Sequence, residues 1–279
     1  MASKITIPDL KKIRVTDPLF SHYAGMVAKK MIPVQWEILN GKQGQSRCFC
    51  IDNFRIAGGT LQGEHRGVVF GDTDAYKWLE AVAYCANNGE TEYIPEADEL
   101  IEIIGQAQQP DGYLNTYFTV CHPELRWKNL TEGHELYSAG HLIEAAVAYY
   151  NATGKRRLLD IAAKFADLIC QTFGDGEGQI PGYPGHQEIE LALVKLWRVT
   201  GEERYLKTAR FFLDCRGRTP NYLLREMNDP NHKVIFPELR NYDPSYSQSH
   251  VRPVEQKTME GHAVRAMYQC SAMADLADI

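Results

Sequence analysis

An internal repeat constrains the fold of this chain more than any other feature of its sequence. Three segments each open with a Gly-His pair, at Gly133-His134, Gly185-His186 and Gly261-His262, and an apolar helical pattern follows each pair. Self-similarity on this scale is typical of architectures in which equivalent supersecondary units stack and bury a shared core. The sequence therefore predicts a fold built from repeated helical units.

The first two repeats each continue into a second helix. Apolar residues recur at helical spacing after each Gly-His pair, and the pattern ends in Thr153-Gly154 and in Thr200-Gly201. Glycine commonly ends a helix because it takes the left-handed conformation without strain. The segments that follow carry more charge, which is typical of an outer helix with one wet face. Each repeat thus predicts a hairpin of a buried inner helix and a half-exposed outer helix.

An earlier copy of the hairpin lacks the Gly-His pair but keeps its register. Its inner helix should begin near Asp74 and end at Gly89, a span of 15 residues that also separates His186 from Gly201. Pro95 suits the first turn of the outer helix, which is predicted to reach Ala107. Residues 72–279 are therefore expected to form three hairpins and one further inner helix of an all-α (α/α)6 barrel. We expect the rest of that barrel to lie beyond Ile279.

Two segments lie outside the repeats. Residues 1–71 hold several glycines and are interpreted as short strands and loops that lead into the barrel. Residues 216–260 are rich in Pro, Asn, Asp and Tyr, and they predict a long loop over one face. Its aromatic residues are expected either to form a pocket wall or to serve plain packing; they are Tyr222, Phe236, Tyr242 and Tyr246.

Composition excludes several function classes. The net charge is −6 with both signs scattered along the chain, so no basic patch indicates a nucleic-acid partner. No long apolar run or signal-type N-terminus predicts a membrane span or export. The seven cysteines are scattered and odd in number, as in reduced cytoplasmic proteins, so the expected location is cytoplasmic. The Cys48-Phe49-Cys50 segment is interpreted as a structural part of a strand-like stretch.

The three histidines of the Gly-His pairs are the candidate site. In a barrel the inner helices run parallel, so His134, His186 and His262 should meet at one mouth. A helix N-terminus favours neutral imidazole, which both donates and accepts hydrogen bonds and so suits sugar hydroxyls. A zinc site is the rival interpretation, but His134 and His141 are seven residues apart, about 10 Å along a helix. His141 is therefore expected to serve packing or support.

Carboxylates near the predicted mouth leave two possibilities open. They are Asp72, Asp74, Glu132, Glu135, Glu188 and Glu260. Glycoside hydrolysis commonly uses two carboxyl groups on opposite sides of the bond. Acidic residues in the first turn of a helix are also expected from the helix dipole alone.

Seven ordered motifs resemble one known family, the beta-L-arabinofuranosidases of glycoside hydrolase family 127. They are residues 33–37 (PVQWE), 53–57 (NFRIA), 72–80 (DTDAYKWLE), 109–117 (QPDGYLNTY), 133–142 (GHELYSAGHL), 185–188 (GHQE) and 260–265 (EGHAVR). The resemblance implies an (α/α)6 catalytic barrel followed by β-sandwich domains, and a retaining reaction on a terminal furanoside. It also implies a cysteine nucleophile in a zinc site of three cysteines and a glutamate, with a second glutamate as general acid/base.

The matching positions of this chain imply substrate contact rather than catalysis. The resemblance assigns the arabinofuranose hydroxyls to His134, His186 and His262, and less directly to Gln35. The nucleophile, the acid/base and the zinc ligands are expected beyond Ile279, so this chain should bind no metal and be inactive alone. It should also be poorly stable, because an open ring exposes apolar surface. A homo-oligomer of the intact protein is a further expectation.

Two other functions remain open at the level of sequence. Sugar 2-epimerases on (α/α)6 barrels use histidines for proton transfer, and isomer formation without water consumption would indicate that class. A non-catalytic sugar-binding remnant, or one part of a split assembly, would bind arabinose without turnover.

Overall fold

The computed structural model describes residues 8–42 and 48–279, and within these ranges the regular elements are helices. A π-helical turn, Val27–Met31, joins the first two of them. The α-helices are α1 (Pro18–Met26), α2 (Ile32–Leu39), α3 (Cys50–Ala57), α4 (Asp72–Asn87), α5 (Ile94–Ala107), α6 (Thr116–Cys121), α7 (Glu135–Thr153), α8 (Arg157–Thr172), α9 (Ile189–Thr200), α10 (Glu203–Cys215), α11 (Tyr222–Met227) and α12 (Ala263–Asp278).

The helices stack as the repeat predicts. Helices α4 and α5, α7 and α8, and α9 and α10 form three hairpins, and α12 follows as a further inner helix. The inner helices α4, α7, α9 and α12 contact one another in that order, and the outer helices α5, α8 and α10 do the same. The all-α toroidal fold class is thereby confirmed.

Burial separates the inner from the outer layer. Helix α7 buries 14 of its 19 residues, whereas its partner α8 buries 7 of 16 along one stripe. A helix that is buried on most sides must carry few charges, and α7 meets this requirement with small residues such as Ala139, Ala145 and Ala146. Small side chains also let α4 and α9 approach α7 from both flanks.

Glycines end the inner helices α7 and α9 as the sequence predicts. Gly154 and Gly201 have φ values of 75° and 74°, in the left-handed region. The Gly154 amide donates to the Tyr150 carbonyl at 2.8 Å, and the Gly201 amide donates to the Trp197 carbonyl at 2.7 Å. These bonds satisfy carbonyls that would otherwise lack partners at the helix ends.

The N-terminal segment corrects the expectation of strands over residues 1–71. Residues 1–7 and 43–47 lie outside the described residues, and the α-helices of the described remainder are α1, α2 and α3. Asp17 accepts hydrogen bonds from the Leu19 and Phe20 amides, and Pro18 stands at the first helical position. The glycines that suggested loops follow α3 rather than interrupt a helix. Cys50 opens α3, so the Cys48–Cys50 segment is not a strand either.

Helix α2 joins the same core as the hairpins. The Trp36 ring stacks on Trp78 of α4 with centroids 4.6 Å apart. The Trp78 indole N–H donates to the Ile32 carbonyl at 3.1 Å, which anchors α2 across α4. Tertiary packing on α4 therefore supports helical structure in a segment whose own pattern is weak.

The segment from 216 to 260 crosses the N-terminal ends of α9 and α12. It contains α11 and short 3₁₀ turns at Pro237–Leu239, Pro244–Ser247 and Pro253–Glu255. Buried Arg216 holds it in place: its guanidinium donates to the carbonyls of Ser247 at 3.0 Å and Pro184 at 2.8 Å, and to Glu190 at 3.1 Å. Within the described part of the chain, no helix has the length and apolarity that a membrane crossing requires.

Candidate active site

The glycine of each Gly-His pair is required by close backbone contact. A Cβ atom would lie 2.5 Å from the Asn129 carbonyl oxygen at Gly133, 2.2 Å from that of Thr131 at Gly185, and 2.1 Å from that of Ser245 at Gly261. Distances below 3.0 Å to backbone atoms cannot be relieved without moving the chain. The glycines therefore let a neighbouring segment pass close to each inner helix where the histidine follows.

The three histidines form a row at one mouth. Ring centroids are 5.7 Å apart between His134 and His186, and again 5.7 Å apart between His186 and His262. His134 and His262 precede the first residues of α7 and α12, and His134 takes a left-handed conformation with φ of 55°. The parallel inner helices bring together residues that are 128 positions apart in sequence.

Backbone contacts assign a tautomer to each ring. His134 Nδ1 lies 2.5 Å from the Glu132 carbonyl, and His186 Nδ1 lies 2.8 Å from the Gln187 carbonyl, so each Nδ1–H donates. The Nε2 atoms of these two rings are then acceptors. His262 Nδ1 instead accepts from the Arg265 amide at 3.4 Å, which leaves its Nε2–H as a donor. The row thus offers two acceptors and one donor.

The row is neutral near neutral pH. Burial lowers the pKa of His134 to about 4 and that of His186 to about 2. Burial also lowers the pKa of His262, with a further contribution from the Arg265 guanidinium. A charged imidazolium would lose its acceptor, so these shifts keep the hydrogen-bonding pattern intact.

Aromatic side chains enclose the row. The His134 ring lies 5.1 Å from Phe70 and 5.6 Å from Phe236, and the His262 ring lies 5.5 Å from Tyr246. Two of the four loop aromatics named from sequence therefore contact the site. The other two do not: Tyr222 packs against Tyr183 and Tyr242 is buried beside Ser249.

A polar interior lies behind His186. The Tyr137 ring is 4.4 Å from His186 and 4.6 Å from His141, and its hydroxyl accepts from Lys77 Nζ at 3.0 Å. His141 Nδ1 lies 3.3 Å from Glu188 Oε1. Burial lowers the pKa of His141 to about 3 and raises that of Glu188 to about 9, so the two form a neutral pair.

Gln35 lies in an adjoining cavity rather than in the row. It is exposed on α2 and lines a cavity of about 380 Å³ with Cys48, Asp74, Lys77 and Trp78. Lys77 connects this cavity to the row through its bond to the Tyr137 hydroxyl. The structure thus brings the three histidines together and places Gln35 one side chain further out.

Three of the six candidate carboxylates hold the framework. Asp72 accepts from the Thr116 amide at 2.8 Å, Glu132 from the Phe236 amide at 2.7 Å, and Glu135 from the Trp127 amide at 2.9 Å. Glu135 also accepts from the Tyr113 hydroxyl at 2.5 Å, so the turn at 109–113 braces the start of α7. Glu260 bonds the exposed Thr258 hydroxyl. Asp74 lines the cavity that Gln35 also lines, and Glu188 lies beside His141 behind the row.

Sequence reasoning missed Tyr137, Lys77 and Tyr268. Tyr137 follows His134 by three residues, a spacing that places both on one helical face and could have identified it. Lys77 and Tyr268 reach the site only through the packing of α4 and α12 against α7 and α9, with Tyr268 5.9 Å from His186. Lys77 follows the candidate Asp74 by the same three residues, whereas the neighbourhood of Tyr268 carries no comparable signal.

The described residues do not offer a metal centre. In the ranges 8–42 and 48–279 no group of three or more His, Cys, Asp or Glu side chains is arranged to hold an ion. The zinc site that the resemblance implies was expected from other parts of the whole protein, and it stays a prediction.

Comparison with known proteins identifies one family over almost the whole chain. A family model described as beta-L-arabinofuranosidase, GH127 catalytic domain, matches residues 12–279. The non-reducing end beta-L-arabinofuranosidase of Bifidobacterium longum subsp. longum is 37% identical over an alignment of 280 positions that covers 94% of this chain and 43% of that protein.

Solved structures agree with this match. A GH127 beta-L-arabinofuranosidase from Geobacillus stearothermophilus T6 superposes with a TM-score of 0.88 at 51% identity, over 95% of this chain and 42% of that one. A GH127 beta-arabinofuranosidase superposes with a TM-score of 0.82 at 35% identity, over 97% and 40%. The chain thus spans about two fifths of the length of these relatives. It belongs to the GH127 family of beta-L-arabinofuranosidases, within the catalytic domain.

Proposed function

We propose that this chain supplies the sugar-binding side of a retaining glycoside hydrolase that releases terminal beta-L-arabinofuranose. The relatives named for that activity are more than twice as long, so the activity belongs to the whole protein. The observation that carries the proposal is the neutral row His134, His186 and His262, since a furanose presents adjacent hydroxyls that can each donate and accept.

The tautomers define how the sugar would bind. Two adjacent hydroxyls would donate to Nε2 of His134 and His186, and His262 Nε2–H would donate to a third oxygen. The aromatic side chains Phe70, Phe236 and Tyr246 would cover the apolar edges of the ring and exclude water. Gln35 and Lys77 would contact the next part of the glycan, in the adjoining cavity.

Catalytic groups are part of the proposal for the whole protein only. The nucleophilic cysteine, the acid/base glutamate and the zinc site would come from residues outside this chain, and the described residues would position the sugar. All seven cysteines here are free thiols, which supports a reducing, cytoplasmic location. A homo-oligomer of the whole protein is likewise proposed.

Substitution of His186 tests the role of the row. We expect His186→Ala to weaken binding of methyl beta-L-arabinofuranoside by at least ~10-fold, because the central ring supplies one hydrogen bond and part of the wall. Saturation-transfer NMR and calorimetric titration of the chain would measure it. His186→Gln keeps an acceptor and should recover part of the affinity.

The control is His22→Ala, which removes an exposed histidine on α1 and should leave binding unchanged. Circular dichroism would establish that each variant remains folded. Because the pKa values of His134 and His186 are far below 6.5, wild-type affinity should also stay level from pH 8 down to about 5. Equal affinity of His186→Ala and wild type, or a loss of affinity centred near pH 6.5, would contradict the proposed role.

A further inference from the structure

We propose that Cys48 and Cys50 are a redox-sensitive dithiol, which a hydroperoxide converts to a disulfide at the wall of the cavity that also holds Gln35. The inference goes beyond the proposed function, and its test does not depend on sugar binding or turnover.

The two sulfurs are already close. Cys48 Sγ lies 3.3 Å from Cys50 Sγ, within hydrogen-bond distance. Phe49 between them has φ of −118° and ψ of 2°, a bent conformation that folds the chain back before α3 begins. A disulfide needs sulfurs about 2 Å apart, so the two sulfurs have to approach by only about 1.3 Å. All seven cysteines are described, and no other two of them hydrogen-bond to each other.

The two thiols differ in access. Cys48 is half-buried and faces the cavity that it lines with Asp74 and Lys77. Cys50 is 2% exposed, as the first residue of α3. An accessible thiol with a buried thiol next to it is the arrangement of a reactive cysteine and its resolving partner.

The pKa shifts of the two thiols also favour Cys48 as the reactive cysteine. The hydrogen bond with Cys50 lowers the pKa of the Cys48 thiol, although burial and the Asp74 carboxylate oppose this shift. The same hydrogen bond, together with burial, raises the pKa of Cys50 well above its usual range. Cys48 is therefore the nucleophile, because the thiolate is the reactive form.

The chemical step balances with a hydroperoxide as oxidant. The Cys48 thiolate attacks the terminal peroxide oxygen, the O–O bond breaks, and Cys48 becomes a sulfenic acid while water or an alcohol leaves. The Cys50 sulfur then attacks the Cys48 sulfur, the S–O bond breaks, and the hydroxide leaves as water with the Cys50 proton. Two thiols are oxidised and one peroxide is reduced. A dithiol reductant reverses the change by thiol–disulfide exchange.

Dilute hydrogen peroxide on the full chain, followed by alkylation and peptide mass mapping, tests the proposal. We expect one intramolecular disulfide within the 48–50 peptide, reversed by dithiothreitol. Cys48 should react at least ~10-fold faster than Cys121, an exposed cysteine that serves as the internal control. With Cys50→Ser or Cys50→Ala, the reaction should stop at a Cys48 sulfenic acid that dimedone captures.

Two outcomes would overturn the proposal. One is alkylation of Cys48 no faster than that of Cys121 in the wild-type chain, a measurement that needs no variant to fold. The other is oxidation that yields only disulfides between chains or between other cysteines. Loss of sugar binding in His186→Ala would leave both readouts unchanged, so the two proposals can fail separately.

Discussion

At the scale of single residues, the site depends on ionisable groups that burial holds neutral. Glu188 is 2% exposed, and Gly140 on α7 makes room for it, since a Cβ there would lie 2.5 Å from Glu188 Cγ. Its Oε2 atom has no hydrogen-bond partner among the described residues. Burial and the nearby Glu144 carboxylate both raise its pKa. A buried carboxyl group of this kind lowers the free energy of unfolding at any pH at which it would be ionised in the unfolded chain but stays protonated in the folded one.

Glu188→Gln should therefore change the pH dependence of stability. The folded pKa of Glu188 is raised to about 9, so its favourable contribution is complete below its usual pKa of 4.5 and is lost as the pH rises toward 9. Glutamine does not titrate. The free energy of unfolding of the variant should therefore rise relative to that of wild type by up to ~1.4 kcal/mol per pH unit across that window. Thermal unfolding between pH 5 and 8.5 measures the gain.

The control for this titration is Glu99→Gln, which alters an exposed carboxylate on α5. The unfolding temperature of this variant should differ from that of wild type by the same amount at every pH. A Glu188→Gln curve that also runs parallel to wild type would show that Glu188 is ionised in the folded chain.

At the scale of elements, one carboxylate ties the loop over the mouth to the start of α7. Glu132 is fully buried and accepts from His232 Nε2 at 2.7 Å, from the Ile235 amide at 3.2 Å and from the Phe236 amide at 2.7 Å. The backbone carbonyl of the same residue orients His134. Glu132 thus positions both this part of the loop and the His134 ring.

Glu132→Ala should release this loop while the hairpins remain folded. We expect a loss of about 3 kcal/mol in the free energy of unfolding, because the donors of His232, Ile235 and Phe236 lose a fully buried acceptor. Hydrogen exchange should rise over residues 229–236 and stay low in α8. Glu124→Ala, which alters an exposed side chain nearby, is the matched control and should change neither quantity. Unchanged exchange over 229–236 would refute the role assigned to Glu132.

At the scale of the whole molecule, apolar side chains are exposed on the first and last helices of the stack. Val264 and Met267 of α12 are 48% and 54% exposed, and Leu19, Phe20 and Tyr23 project from α1. Exposed apolar side chains grouped on one helix promote association. Poor stability of the chain alone stays a prediction, which a sharp, reversible thermal transition of a monomeric sample would contradict.

Charge on α12 should reduce self-association. We expect Met267→Lys to lower the associated fraction at a given concentration, because the substitution breaks the apolar face without touching the core. Size-exclusion chromatography with light scattering would measure the mass. Val254→Lys is the matched control: Val254 is 74% exposed but lies in the 3₁₀ turn Pro253–Glu255 rather than on α12. Equal association of Met267→Lys and wild type would show that the self-association uses another surface.

The sequence by itself determined the features that depend on local periodicity. The recurrence of apolar residues specified the hairpins, glycine specified where α7 and α9 end, and the equal placement of the Gly-His pairs specified that the histidines meet. Each of these features follows from the local backbone geometry of a helix or a turn, which recurs at the same positions in every repeat. No contact between distant residues is needed to infer it.

Only the tertiary structure decided what depends on the surroundings of a side chain. Residues 32–39 are held as a helix by the docking of α2 on Trp78, and three candidate carboxylates became framework residues because backbone amides face them. The neutral His141–Glu188 pair, the tautomers of the row and the approach of Lys77 to Tyr137 follow from burial and from contacts between separate helices. Desolvation and hydrogen bonding are set by the atoms that enclose a group, and a chain's local pattern does not specify those atoms.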